Sequence, residues 1–198
     1  MADDKHARSS KTVNVLGLAG SLRRDSINRR LLAEAARHAA PGVALRVHDG
    51  VATVPLFNED LEIGPFKAPE SVVRLRQDIE RADGLIIATP EYNHSMPGVL
   101  KNLIDWLSRG ERDVLSDKPV AIFGATQGQW GTRLAQAALR QTLTACGALI
   151  MPAPQLFLRK GEDLFDADGR LSDQHAIDGL AHFCAAFRDW IYLTKANR

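Results

Sequence analysis

The sequence predicts an α/β domain in which a parallel sheet of five strands lies between two layers of helices. Two observations predict it. Short apolar runs alternate with segments of helical periodicity along the whole chain. Stop and start signals, such as Pro41-Gly42, Ser26 and Gly147, fall between them. No internal repeat, low-complexity linker or second domain interrupts this alternation, so residues 12–198 are expected to form one domain behind a polar, disordered tail of residues 1–11.

Val13 to Leu18 reads as the first strand. Ser26 caps a helix whose apolar face is Ile27, Leu31, Leu32, Ala35, Ala36 and Ala39. There is no capping box, because Arg29 stands three residues on. Pro41-Gly42 stops that helix, and Val43 to Val47 is the second strand. Val51 to Pro69 is irregular and long for a plain connection, which marks it as functional or interfacial. Glu70 to Arg81 is a helix carrying Val72, Val73, Leu75 and Ile79, and Leu85 to Thr89 is the third strand. Met96 to Arg109 is a helix with Pro97 in its first turn and Val99, Leu100, Leu103, Ile104 and Leu107 on one face. Pro119 to Phe123 is the fourth strand. Thr132 to Cys146 is a helix closed by Gly147. Leu149-Ile150-Met151 begins the fifth strand, with a continuation to Leu158 beyond two prolines left open. Asp173 to Leu193 is a closing helix with Ile177, Leu180, Phe183, Phe187 and Ile191 on one face. Five such strands suit the flavodoxin-like order 2-1-3-4-5, a three-layer sandwich, although periodicity does not choose the order.

At 198 residues the chain is long enough to bury a substantial core. A formal net charge of +1 implies no general attraction to nucleic acid or to a membrane surface. No apolar run approaches the ~20 residues of a membrane span, and the polar N-terminus lacks the apolar core of a signal peptide. Cys146 and Cys184 make no disulfide framework, and no metal-ligand spacing of Cys and His occurs. These features suit a reducing cytoplasm.

In the order 2-1-3-4-5, the loops after strands one, three and four meet at the carboxyl end of the sheet, where ligands of open α/β folds bind. The first, Gly20 to Asn28, offers hydrogen-bond donors at Ser21, Ser26 and Asn28, the fixed cation Arg23 and a helix N-terminus. This is a phosphate cup, or else a helix cap beside a solvated arginine. Gly17 and Gly20 do not make G-x-G-x-x-G, and there is no Walker lysine, which favours a monophosphate over a pyrophosphate. The second loop, Pro90-Glu91-Tyr92-Asn93-His94-Ser95-Met96-Pro97-Gly98, puts acidic, aromatic and amide groups where a buried strand becomes a helix; its plain alternative is a rigid, proline-bracketed turn. The third, Gly124 to Thr132, has three glycines that let backbone N–H groups approach a ligand, and Trp130 covers the site or a neighbouring subunit, or else is a partly buried loop tryptophan.

Gly20-Ser21-Leu22-Arg23 with Ser26 and Asn28, Pro55-Leu56-Phe57-Asn58-Glu59-Asp60, Pro90-Glu91-Tyr92-Asn93, Pro97-Gly98 and Leu100 to Arg109 together resemble the NAD(P)H-dependent FMN reductases, in particular their quinone and chromate reductase branch. The resemblance runs from about Val13 to Leu149. It departs at Thr126-Gln127-Gly128 and at His94, positions that bear on substrate choice and tetramer contacts. It implies a flavodoxin-like fold, tightly but non-covalently bound FMN, NAD(P)H as co-substrate and a homodimer or homotetramer. It also implies hydride transfer through FMN to a small-molecule acceptor such as a quinone, ferric chelate, chromate or azo compound. Ser21, Arg23, Ser26, Ile27 (through its N–H) and Asn28 would hold the phosphate. Pro90, Glu91, Tyr92 and Asn93 would hold the ring, largely by backbone groups, and Ala125, Thr126, Gln127 and Gly128 would approach its opposite edge. The flavin carries the chemistry, so no side chain is assigned catalytic proton transfer, and Glu91 is expected to be held by backbone N–H groups or by Arg109.

Two other function classes are weighed. An FMN-binding carrier or sensor without turnover would use the same loops. A serine hydrolase built from Ser21, Asp173 and His175 lacks the G-x-S-x-G elbow. Apolar material beyond the expected core, at Trp106, Pro55-Leu56-Phe57 and Trp130, points to a subunit interface anchored by Trp106 and Arg109.

Overall fold

Strand β1 (Val13–Ala19) lies inside a parallel sheet, between β2 (Val43–Val47) and β3 (Gly84–Ala88); β4 (Pro119–Ala125) pairs with β3 on its other side. The computed structural model describes residues 12–62, 68–110 and 113–196; the expected tail at residues 1–11 lies outside them. Strands β5 (Leu149–Ile150) and β6 (Leu156–Leu158) both pair with β4, giving the flavodoxin-like order β2-β1-β3-β4-β5 with β6 further along the same edge. The fifth strand is therefore split. Pro152 and Pro154, which have no N–H to give to a ladder, fall in the interruption.

Alternating side chains of the central strands point to opposite faces and build two cores. Val15, Ile86 and Phe123 pack against helix α1 (Ile27–Arg37) and the long helix α5 (Gln174–Ala196), through Leu31, Leu32, Phe183 and Phe187. Leu16, Leu85, Ile87 and Ile122 face the other layer, formed by α2 (Glu70–Arg81), α3 (Gly98–Leu107) and α4 (Arg133–Ala145). Cys184 is buried in the first core, and burial pushes its thiol up to about 12.

Three differences from the sequence expectation move the site. Helix α3 starts at Gly98, not at Met96. The peptide groups of Tyr92 and Ser95 exchange hydrogen bonds at 3.1 and 3.0 Å, closing a tight turn with Asn93 and His94 both in the left-handed region, at φ 48° and 61°. Met96 precedes a proline and so is disfavoured in the helical region; Pro97 is the N-cap. Strand β4 runs on through Gly124 and Ala125 because β6 supplies ladder partners there, Gly124 to Phe157 and Ala125 to Leu158.

The third difference overturns an expectation. Trp106 is 1% exposed, not an open interface anchor. Residues 51–62 of the irregular connection fold over it as a flap. The Trp106 indole and the Asn102 amide both donate to the Pro55 carbonyl at 2.9 Å, and the Phe57 N–H donates to Asn102 Oδ1 at 2.7 Å. The Phe57 ring meets Trp106 edge-on at 4.9 Å between centroids. Arg109 is taken up as well, holding Glu62 through two hydrogen bonds of 3.0 and 2.9 Å. Apolar residues that stay exposed include Leu56, at 82%, and Trp130, at 76%.

Candidate functional site: a three-loop cavity at the carboxyl end of the sheet

The loops after β1, β3 and β4 meet, as the strand order requires. Ser21, Arg23, Ser26, Ile27, Asn28, Pro90, Glu91, Tyr92, Ala125, Thr126 and Gln127 line one cavity of about 150 Å³. Asn93 and Gly128, the other two residues singled out from the sequence, belong to the same loops but do not line it. Larger cavities lie elsewhere. One of about 530 Å³, between Glu80 and Lys195, sits beyond the amino ends of β3 and β4, where Lys118 Nζ donates to the carbonyls of Ile79 and Ala82 at 2.8 Å. It lies at the wrong end of the sheet for an open α/β site, so convergent chemistry, not size, singles out the three-loop cavity.

The first loop ends where Ser26 caps α1, its Oγ accepting from Arg29 N at 3.3 Å. The N–H groups of Ile27 and Asn28 have no intrahelical acceptor and add a positive dipole end. Ser21 is buried, and Arg23 has no carboxylate partner among the described residues. Hydroxyls, free N–H groups and an uncommitted guanidinium at one helix start are the donor set a phosphate needs.

Asn28 does something composition did not reveal. Its side-chain amide donates to the Ala125 carbonyl at 3.0 Å, and its Oδ1 accepts from the Ala125 N–H at 2.8 Å. Both ends are thus spent on stapling the first loop to the end of β4, leaving its backbone N–H for a ligand. An Asn facing a strand end on another element has no signature in a single sequence.

Glu91 ties the second loop to the third. Its Oε2 accepts from the N–H groups of Leu134 and Ala135 at 2.9 and 3.0 Å, at the start of α4. A carboxylate there satisfies two orphan donors and complements the helix dipole. Of the two partners expected for Glu91, the backbone is the one found; Arg109 serves Glu62. His94, exposed, has Nδ1 3.9 Å from Glu91 Oε1.

The third loop is anchored at its base. Thr126 donates its N–H to the Leu158 carbonyl at 3.2 Å and accepts from Gly161 N at 3.0 Å. Gln127 Oε1 accepts from Glu162 N at 3.0 Å. The N–H groups of Gln127 and Gly128 make no hydrogen bond among the described residues. A Cβ on Gly128 would meet nothing closer than 3.6 Å, so there is room above this backbone. The hydrolase constellation is not assembled: Asp173 caps α5 through Ala176 N, and with His175 it lines a different cavity from that of Ser21. No group of His, Cys, Asp and Glu among the described residues is arranged to hold a metal ion.

Comparison with known proteins gives the family and the fold. Residues 13–163 match the model of the NADPH-dependent FMN reductase family. An NAD(P)H-dependent FMN reductase of Pseudomonas aeruginosa is 42% identical over 182 residues, covering 92% of this chain and 97% of its own. A quinone reductase of Escherichia coli K12 is 34% identical over 187 residues, covering 94% and 99%. Among solved structures, the flavoenzyme NAD(P)H:(acceptor) oxidoreductase FerB of Paracoccus denitrificans superposes with a TM-score of 0.84 at 35% identity, covering 92% of this chain and 99% of that one.

Proposed function

The chain belongs to the NADPH-dependent FMN reductase family, and from that premise we propose that its three-loop cavity holds FMN and that the protein passes hydride equivalents from NAD(P)H through FMN to quinones and similar small acceptors. The observation that carries the reading is the convergence of one monophosphate donor set with two loops of backbone donors. A cavity of about 150 Å³ is smaller than the ~300 Å³ at the low end of ligand pockets. It suits the phosphate end, and the loops carrying Tyr92 and Gly128 would hold the ring outside it.

FMN bound there supplies hydride acceptance from a nicotinamide and electron donation to an acceptor. The residues do the rest. Ser21 and Ser26 hydroxyls, the Arg23 guanidinium and the N–H groups of Ile27 and Asn28 hold the phosphate. The Pro90–Asn93 segment positions the ring, its turn fixed by the Tyr92–Ser95 pair and by Glu91 on α4. The N–H groups of Gln127 and Gly128 would hold the ring's opposite edge and would favour negative charge there, as an oxyanion site does. One open face serves both substrates in turn, which makes the kinetics ping-pong. The purified protein should be yellow, bleach on anaerobic addition of NADPH, and give parallel double-reciprocal lines with a benzoquinone. Bleaching without steady-state turnover would mark a carrier or sensor, and intersecting lines would contradict the single face.

The exposed apolar side chains Leu22, Tyr92 and Leu134 stand on or beside these three loops. Their exposure supports a homodimer, or a dimer of dimers, whose interface runs past the flavin site. Sedimentation equilibrium at micromolar concentration should give at least twice the 21.7 kDa of one chain; a fully flavin-loaded monomer would refute it. No helix among the described residues is long and apolar enough to cross a membrane. The free Cys146 and Cys184 support a reducing, cytoplasmic location.

A further inference from the structure

Beside the third loop lies a cavity of about 800 Å³ lined by Gln129, Trp130, Arg133, Phe157 and Arg159. Its construction is specific. Gly131, at φ 67°, presses loop three onto β6: a Cβ there would stand 2.9 Å from Phe157 Cβ and 3.2 Å from its carbonyl carbon. Gln136 Nε2 donates to the Leu156 carbonyl at 3.0 Å and locks α4 to the same strand. The Arg133 guanidinium lies 4.3 Å over the centre of the Phe157 ring, which holds its position without using up its charge. Arg30, Arg46 and Arg109 each hold a carboxylate. Arg133 and Arg159 have no carboxylate partner among the described residues, and Trp130 stands open beside them. Two uncommitted guanidiniums and an exposed indole around one groove present the chemistry for a phosphorylated aromatic ligand. The FMN cavity does not need them, since it has its own cation in Arg23.

Gln127 lines the flavin cavity and Trp130 lines this groove. Trp130 is three residue steps from Gln127, a span of at most ~11 Å, so one dinucleotide can reach both. We infer that this groove binds the adenosine end of the reduced dinucleotide, with Trp130 stacked on adenine and Arg133 and Arg159 on the 2′-phosphate, and so selects NADPH over NADH. The inference rests on the NAD(P)H-dependent reading above and adds to it the residues of cofactor choice, for which the sequence shows no ribose-recognition motif.

The test uses the FMN-loaded protein and two probes, 2′,5′-ADP and 5′-AMP, in calorimetric titrations. The wild type should bind 2′,5′-ADP at least 10-fold more tightly than 5′-AMP. The Arg133→Ala, Arg159→Ala double variant should lose that difference, about 10- to 100-fold for the charge-assisted bonds removed. Trp130→Leu should weaken both probes together, because stacking does not sense the 2′-phosphate. In turnover, the ratio of kcat/KM for NADPH to that for NADH should fall at least 10-fold in the double variant. Equal affinity of the wild type for the two probes, or an unchanged ratio in the double variant, would overturn the inference. So would a smaller sedimentation mass for the double variant, which would show the groove to be covered by a second copy. Wild-type protein that holds FMN but oxidises neither dinucleotide would instead overturn the NAD(P)H-dependent reading, and the two binding titrations would still decide the groove.

Discussion

Replacing Asn28 by alanine is expected to lower stability by ~2–5 kcal/mol and to empty the flavin site. Asn28 is 3% exposed, and both its polar atoms are spent on the peptide of Ala125. Truncation leaves a donor and an acceptor without partners at the dry end of β4, each costing ~1–3 kcal/mol. For a chain of this size that corresponds to a fall in melting temperature on the order of 10 °C. The same two hydrogen bonds hold the phosphate loop against the third loop, so FMN should be released well below the unfolding midpoint of the wild type. Asn28→Asp separates the two roles: it can still accept from the Ala125 N–H but sets a carboxylate oxygen against the Ala125 carbonyl. Its loss should lie close to that of alanine. Thermal unfolding followed by flavin fluorescence and by circular dichroism reads both effects. An Asn28→Ala protein with wild-type midpoint and flavin content would show that the staple carries nothing.

Gly124→Ala should cost more for one added methyl than any surface substitution. A Cβ at Gly124 would stand 2.1 Å from the Thr89 carbonyl oxygen and 2.5 Å from Thr132 Oγ1. The first is backbone at the end of β3, and both threonines are fully buried. Neither gives way without separating β3 from β4 at the point where two of the three loops begin. The expected loss is ~3 kcal/mol or somewhat more, at the upper end of overpacking effects, with loss of bound flavin. Gly128→Ala is the control: it lies on the same loop, its nearest neighbour would be 3.6 Å away, and its stability should change by less than ~0.5 kcal/mol. Urea unfolding of the two variants side by side decides this; equal losses would mean that the Gly124 contact is relieved cheaply.

Much of this was legible because local signals agreed with the fold. The second strand and the helix from Glu70 to Arg81 have the same ends in the structure as their periodicity and stop signals predict. The three loops were legible because a parallel sheet in this order must bring them together. What stayed hidden depended on long-range partners. Trp106 looked surplus beside a filled helix face until the flap carrying Pro55 and Phe57 was placed on it. The last two residues of β4 needed β6 beside them to become strand. Asn28 looked like a ligand donor because its partner, the Ala125 peptide, lies 97 residues away. Glu91 was legible as a held carboxylate, but its placement on the first turn of α4 was not.

In the proposed function, one cup at the start of α1 recognises a single phosphate and thereby FMN. That recognition is tested most directly by titrating flavin-free protein, wild type and Arg23→Ala, with FMN, riboflavin and FAD and following flavin fluorescence. The wild type should bind FMN far more tightly than riboflavin or FAD. Arg23→Ala should weaken FMN by ~1.5–3 kcal/mol, the value of a charge-assisted hydrogen bond, and leave riboflavin almost where it was. Equal affinity of the wild type for FMN and riboflavin, or tighter binding of FAD, would contradict it.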